Sequence, residues 1–273
     1  MRRSLTRIAL AASASALRVD DAYAVATRLS GIALRRAARR LARATRSVFP
    51  DRDDAWVAAT VREQLRHRAW VALDKHTMPR MDGDDLVARC EGADALRALV
   101  DRALADGRGA TIYTMHYGRP LLLPVLLAHF GYPFSVLRTR EDADAETIVS
   151  GTESTGADAL RALEQNRVLF LLVDTPLARQ TATASFLGSR LPVAVGLAEL
   201  TRIAGSMLVP ATAHSTAPFR FRVEARSVAP AGEEATPDEA ATLLVAPFEA
   251  TVRDEPGAWY GINRVFRART SGV

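Results

Sequence analysis

The sequence predicts an α/β protein: a mixed, largely parallel sheet sandwiched by helices, with an N-terminal helical extension. Three observations carry this reading. The apolar or β-branched runs at residues 110–115 and 167–174 are continuous rather than alternating, as in strands that helices cover on both faces. Strand and helix patterns alternate from residue 110 to residue 228, which builds a layered α/β sandwich. Residues 22–105, by contrast, carry helical spacing without a strand-like run.

The totals fit that architecture. A chain of 273 residues, 48% hydrophobic and 25% charged, is long enough to bury a core as one domain. Its net charge of +5 hides an asymmetry, since the first 80 residues hold 17 basic and 7 acidic side chains. Lys75 is the only lysine, so the basic character is that of arginine, which grips phosphate bidentately where lysine acts as a point charge. Aromatic residues make up 6%, with no stacking platform or binding motif, which argues against nucleic acid as the partner. No Gly-rich phosphate loop follows a strand, and the five histidines have no ligand spacing. No cofactor and no metal are therefore expected. Cys90 stands alone, so an intramolecular disulfide is excluded and a reducing compartment fits.

Residues 1–21 are expected to form a separate N-terminal segment, disordered or weakly targeting. A basic start and a short Ala/Ser-rich run precede Ala22-Tyr23-Ala24, a small-x-small pattern, but Arg18, Asp20 and Asp21 interrupt the approach to it. Secretion is disfavoured. No window reaches the roughly 18–20 uninterrupted apolar residues of a membrane span, so any membrane contact is expected to be peripheral. Residues 22–105 are assigned to an Arg-rich helical region and 106–273 to the α/β core, the whole of 22–273 forming one compact domain.

Taken in order, residues 22–48 read as one helix. Leu29, Ile32, Leu34, Ala38, Leu41 and Val48 share its apolar face, and Arg35, Arg36, Arg39, Arg40, Arg43 and Arg46 crowd the remainder. Such a helix either lies in a membrane interface among lipid phosphates or packs its apolar side on the core with a solvated charged face. Phe49-Pro50 stops it, because proline disfavours helical geometry in the preceding residue. A second helix over 53–74 spaces Trp56, Val61, Leu65 and Trp70 along one side. His67, between Arg66 and Arg68, reads as a solvated surface histidine, and His76 as one in a loop. Helix resumes over 86–105 with Cys90 packed inside it, and residues 106–109 turn into the strand at 110–115. Beyond a helix at 121–130, residues 133–140 form a strand ending in Arg138 and Arg140. A polar loop leads to helix from about residue 157, then to the strand ending in Asp174. Residues 175–184 read as polar loop and Pro192 as the opening of a helix. Strands at 206–214 and 219–228, helix at 240–252 and a terminal segment packing Trp259 and Phe266 complete the chain.

The chemistry is expected where the first strand ends. Open sheets place their sites at the carboxyl ends of strands, and His116 stands there as a titratable side chain. His129 and His214 read as structural histidines.

Several features in one order resemble the lipid A biosynthesis (lauroyl/myristoyl-type) acyltransferase family over about residues 29–269. They are the arginine-rich helix ending in Phe49-Pro50, His116-Tyr117-Gly118, Val173-Asp174, Phe186-Leu187-Gly188 and Pro192 leading into Gly196-Leu197-Ala198. Val209-Pro210 and Glu255-Pro256 with Trp259 follow. The resemblance implies transfer of an acyl chain from acyl carrier protein or a CoA thioester to a lipid or glycolipid acceptor. It also implies peripheral attachment to the anionic cytoplasmic face of a bacterial inner membrane. His116 would be the general base.

One departure bears on activity. The family pattern has an acidic residue five positions after the histidine, and here that position is Leu121. Asp174 is the substitute candidate: it ends a neighbouring apolar strand and would emerge on the same sheet edge as His116, though a cap role accounts for it as well. Glu153 and Glu199 are less suited, one in a polar loop and one on a helix exterior. Under the resemblance Arg119, Arg138 and Arg140 would hold the phosphates of donor or acceptor. Tyr117, Gly118 and Gly188 would flank the substrate, with Tyr117 chiefly packing and Gly188 allowing a tight turn. The alternative is a catalytically impaired or noncatalytic homologue that binds acyl chains or a partner.

Overall fold

The computed structural model describes residues 19–32, 35–78, 81–138, 146–149, 152–175 and 181–262. The fold is α/β, built on a seven-stranded mixed, mostly parallel sheet with helices around it. Helices α1 (Val19–Ile32), α2 (Arg35–Val48), α3 (Asp54–Thr77) and α4 (Gly83–Val87) lead to β1 (Cys90–Glu91) and α5 (Ala93–Ala105). The central part runs β2 (Ala110–Thr114), α6 (Leu122–His129), β3 (Phe134–Arg138), β4 (Glu146–Val149), α7 (Thr155–Glu164) and β5 (Val168–Leu172). A hairpin, β6 (Thr181–Phe186) and β7 (Ser189–Ala194), precedes α8 (Gly196–Ala204), β8 (Met207–Ala217) and β9 (Arg220–Ala225). Helices α9 (Pro237–Val245) and α10 (Glu249–Asp254) and a 3-10 turn (Pro256–Ala258) follow.

The sheet order is β1-β9-β8-β2-β5-β3-β4. Strands β8, β2, β5, β3 and β4 are parallel, while β9 runs antiparallel to β8. Every residue of β2 is buried, as its unbroken apolar run requires. Successive side chains enter opposite cores: Tyr113, Leu169 and Leu171 on one face, Ile112, Val168 and Phe170 on the other. Helix α3 belongs to both cores. Val57, Val61 and Leu65 pack with the first, Trp70 and Leu73 with the second, and His67 marks the crossing. The helix starts at Asp53, whose carboxylate accepts from the Trp56 amide at 2.7 Å.

Several elements differ from the sequence reading. Residues 22–48 give two helices rather than one; residues 33–34 and the side chains of Leu29, Ile32, Leu34, Arg35 and Arg36 lie outside the described residues, as does Phe266. The backbone at His76 is the end of α3, not a loop. The helix read over 86–105 is broken by β1, because Cys90-Glu91 pairs with Phe221-Arg222 of β9. Cys90 is nonetheless packed as expected; its Sγ donates to the Leu86 carbonyl and burial pushes its thiol up to about 12. Pro192 lies within β7 opposite Thr183, on a two-stranded hairpin where its missing amide is tolerated. The strands β4 and β6 were hidden in polar sequence: β4 is an edge strand whose one fully buried side chain is Ile148.

His67 is the clearest reversal. It is buried, its ring edge-on to Trp70 at 5.6 Å, and burial with the nearby Arg119 and Arg66 charges lowers its pKa to about 3. Helical spacing gave it a polar flank, but α3 is covered on that side by the turn after β2. The sign follows: a histidine near 6.5 unfolded and near 3 folded binds its proton more readily in the unfolded chain. Its contribution is present above pH 6.5 and lost as pH falls toward 3, at a limiting slope of about 1.4 kcal/mol per pH unit. Urea unfolding of wild type and His67→Gln between pH 4 and 7 should show the steeper acid loss in wild type. Parallel curves would contradict the buried neutral histidine.

Candidate active site

Two strand ends build the site. Strands β2 and β5 are parallel and in register, Thr114 opposite Leu172, and the Val173 amide donates to the Thr114 carbonyl at 2.9 Å. Two residues further along each chain, His116 and Asp174 stand side by side on the carboxyl edge. The Nδ1 of His116 is 2.8 Å from Asp174 Oδ1, and the His116 amide donates to both carboxylate oxygens at 3.0 and 3.1 Å. Asp174 is 0% exposed, whereas the His116 side chain is 28% exposed. A carboxylate accepts only, so Nδ1 carries the ring hydrogen and the neutral ring has its lone pair on Nε2. Such an arrangement can act as a general base whose ring a buried carboxylate orients.

The turn after β2 is pinned from the far end of the chain. The amides of Tyr260 and Gly261 donate to the His116 carbonyl at 3.1 and 3.3 Å, and the Gly118 amide donates to the Ala258 carbonyl at 3.0 Å. The Tyr260 hydroxyl donates to the Gly118 carbonyl, and its ring stands edge-on to the imidazole at 6.4 Å. Burial raises the Tyr260 pKa, which keeps the phenol protonated as a donor. Gly118 has φ 58°, and a Cβ there would lie 2.1 Å from the Ala213 carbonyl oxygen. Only glycine fits that approach.

Beneath the turn lies a buried polar cluster. Arg119, 3% exposed, pairs through Nε with Asp74 Oδ2 at 2.5 Å and donates from a terminal nitrogen to the His67 carbonyl at 3.2 Å. The Tyr23 hydroxyl donates to the other Asp74 oxygen. Burial raises the Asp74 pKa, and Arg119 and Tyr23 oppose it. The cluster ties α1, α3 and the His116 turn together.

These positions sort the residues expected at the site. His116 and Asp174 come together. Arg119 does not face a ligand, a correction to its expected phosphate role, because its guanidinium is enclosed with Asp74. Tyr117 packs, buried and bridged to Trp259, and Gly118 is enclosed against β8, so neither flanks an open substrate space. Gly188 (φ 68°), exposed, forms with the buried Leu187 (φ 52°) the turn of the β6–β7 hairpin, and a Cβ added at Gly188 would meet nothing within 4 Å. It serves the turn. Arg138 closes β3, half-buried, on the same sheet edge as the pair; Arg140 lies outside the described residues. Glu153 is exposed, and Glu199 is exposed and paired with Arg202. His214 is buried, 3.6 Å from Glu255, and His129 reaches Asp84 at 3.1 Å.

Leu121, where the family pattern has its acid, is 46% exposed at the start of α6, and Val125 one turn on is 39% exposed. The carboxylate beside His116 thus comes from the end of β5, while an apolar surface occupies position 121. Asp74 and Tyr260 are participants that sequence reasoning missed. Each lies far along the chain from His116, and no local pattern joins them to it. Among the described residues no group of three or more His, Cys, Asp or Glu side chains is arranged to hold a metal ion.

The hydrogen-bonding pattern fixes an observable. Nitrogen NMR of wild type should show neutral His116 protonated at Nδ1, and Asp174→Asn should shift the ring toward a tautomer mixture. A predominantly Nε2-protonated ring in wild type would refute the assigned roles.

In comparison with protein-family models and with curated proteins, no family model and no curated protein matches the chain, so the functional reading rests on the site itself.

Proposed function

We propose that the chain is an acyltransferase that moves an acyl group from an acyl carrier protein or coenzyme A thioester to a hydroxyl or amine of a lipid or glycolipid. The observation that carries this reading is the His116–Asp174 pair: a partly exposed imidazole on a sheet edge, oriented by a fully buried carboxylate. Nε2 of His116 takes the acceptor proton as the oxygen or nitrogen attacks the thioester carbonyl. Collapse of the tetrahedral intermediate breaks the C–S bond, and the imidazolium returns the proton to the leaving thiolate. Asp174 holds the ring and steadies its positive charge. No cofactor enters this scheme.

Two surfaces support a lipid substrate. Leu121 and Val125 expose apolar area at the start of the helix that follows the His116 turn. A groove of about 810 Å³ between α2 and α3 is lined by Ala38, Ala42, Val57 and Leu65, with Arg39 and Arg62 among its charged residues. Arg39, Arg40 and Arg43 of α2 are exposed, and Arg46 pairs with Asp54. Among the described residues no helix is long and apolar enough to cross a membrane. We infer attachment from one side, to the anionic cytoplasmic face of a bacterial inner membrane.

Purified protein given acyl thioester and a glycolipid acceptor should release free thiol. His116→Ala should abolish the release, and Asp174→Asn should lower kcat by about 10²- to 10⁴-fold with little change in donor KM. An unchanged rate in His116→Ala would remove His116 from the mechanism. Leu121 at the motif acid position favours a second reading, a protein that binds acyl chains without transferring them. Absence of turnover in wild type, with acyl-chain binding undiminished in His116→Ala, would select it.

Attachment has its own measurement. Vesicles containing phosphatidylglycerol should bind the protein more tightly than phosphatidylcholine vesicles, and Arg39→Gln with Arg43→Gln should cost roughly fivefold per arginine at low salt. Equal binding to both vesicle types would exclude the electrostatic contact.

A further inference from the structure

We propose that Trp259 is a positioning residue for the His116–Asp174 pair, its indole N–H serving as a donor to the Oδ2 oxygen of Asp174. This role deepens the acyltransferase reading, on which its kinetic consequence rests. Trp259 is 0% exposed, yet among the described residues its Nε1 hydrogen meets no acceptor. A buried indole N–H ordinarily finds a partner, because leaving it dry and unpaired forfeits its bond to water. Packing holds the ring where it is: Phe186 stands edge-on to it at 5.3 Å, and its backbone is bridged to Tyr117.

Gly261 shows what the indole nitrogen faces. A Cβ built on Gly261 would lie 2.3 Å from Trp259 Nε1 and 3.1 Å from Asp174 Oδ2, so donor and carboxylate oxygen converge on one point. Backbone conformation does not require glycine here, since its φ lies outside the left-handed region. What the position requires is the missing side chain, because a Cβ would press on the indole nitrogen far inside contact distance and wedge toward the carboxylate. The Gly261 amide donates to the His116 carbonyl at 3.3 Å, which fastens this residue to the same turn. Asp174 has a use for such a donor. Its Oδ1 faces His116 Nδ1 at 2.8 Å, and both oxygens take the His116 amide at 3.0 and 3.1 Å, so these bonds all come from the residue that the carboxylate must orient. A donor from another segment on the Oδ2 side keeps the carboxylate from swinging with that histidine. A small turn of the carboxylate closes the contact, and the indole N–H then makes a charge-assisted bond, stronger than one to a neutral acceptor.

The three indole N–H proton resonances of the resting protein report the bond directly. Trp70 supplies an internal reference, because its N–H donates to the neutral Thr27 hydroxyl at 2.9 Å. The Trp259 proton should lie downfield of that of Trp70, and Asp174→Asn should move it upfield while the Trp70 proton stays. A Trp259 proton indifferent to Asp174→Asn would overturn the proposal. Gly261→Ala and Trp259→Phe should each drive the His116 ring nitrogens toward a tautomer mixture, and nitrogen signals unchanged in both would overturn it as well. In turnover, Trp259→Phe should lower kcat by about 10- to 100-fold with donor KM little changed. Phe186→Leu, which loosens the packing of the same indole but keeps its N–H, should cost stability and leave kcat within about twofold. An equal kcat loss in Phe186→Leu would assign the effect to packing and sink the proposal. Should Trp259→Phe fail to fold, the wild-type resonance, its response to Asp174→Asn and the Gly261→Ala nitrogen signals decide. The two readings fail separately. A Trp259 proton that answers to Asp174→Asn in a protein releasing no thiol would sink the acyltransferase reading and leave the contact standing, whereas thiol release with an indifferent proton would do the reverse.

Discussion

The pairing of His116 with Asp174 depends on one constraint, the parallel in-register alignment of β2 with β5. Parallel neighbours end on the same edge of a sheet, so residues at matching distances past the last ladder pair emerge together. Thr114 and Leu172 are that last pair, and His116 and Asp174 follow them by two positions each. A register slip of one residue would turn each side chain to the opposite face. The size and shape of the side chains oppose this, because each strand alternates between two packed cores and a slip would send every side chain of the slipped strand into the other core. Hydrophobic packing therefore sets the hydrogen-bond geometry of the site.

The cluster of Arg119, Asp74 and Tyr23 fixes the same turn from below. A buried ion pair contributes little net stability, since desolvation of both charges offsets their attraction, but removal of one partner strands the other at a cost of about 3–5 kcal/mol. That asymmetry makes the cluster a positioning device. It couples α1 and α3 to the residues immediately after His116, and the main-chain bonds from Ala258, Tyr260 and Gly261 do the same from the opposite end of the chain. The imidazole thus sits on a turn held by helix, sheet and terminal segment, which fixes its orientation.

The arginines of the chain divide by burial. Arg119 is enclosed and neutralised by a carboxylate, whereas Arg39, Arg40 and Arg43 line the exposed side of α2 and Arg68 lies between these environments. Guanidinium is weakly hydrated and always charged, which suits it to all three settings. Identical side chains in the sequence thereby acquire different tasks from their depth in the fold.

Much of the architecture was legible from local pattern. The continuous apolar runs identified β2 and β5, the Phe49-Pro50 stop ended α2, and His116 was visible as a titratable group at a strand end. Asp174 was reachable by the same logic, because strand ends in a parallel sheet share an edge. The short edge strands β1 and β4 escaped notice, since a strand that buries one or two side chains leaves almost no hydrophobic signature. His67 and Arg119 were misplaced for a related reason: a charged or polar flank reads as solvent-facing until another segment covers it.

By itself, then, the sequence determined the fold class, the two central strands and the place of a histidine at a strand end, all legible along a few consecutive residues. Only the tertiary structure decided that Asp174 meets the His116 ring, that Asp74 receives Arg119 and that Tyr260 stands against the His116 turn. Those contacts join residues dozens to more than a hundred positions apart, and their geometry exists only once strand register and helix packing have brought the segments together.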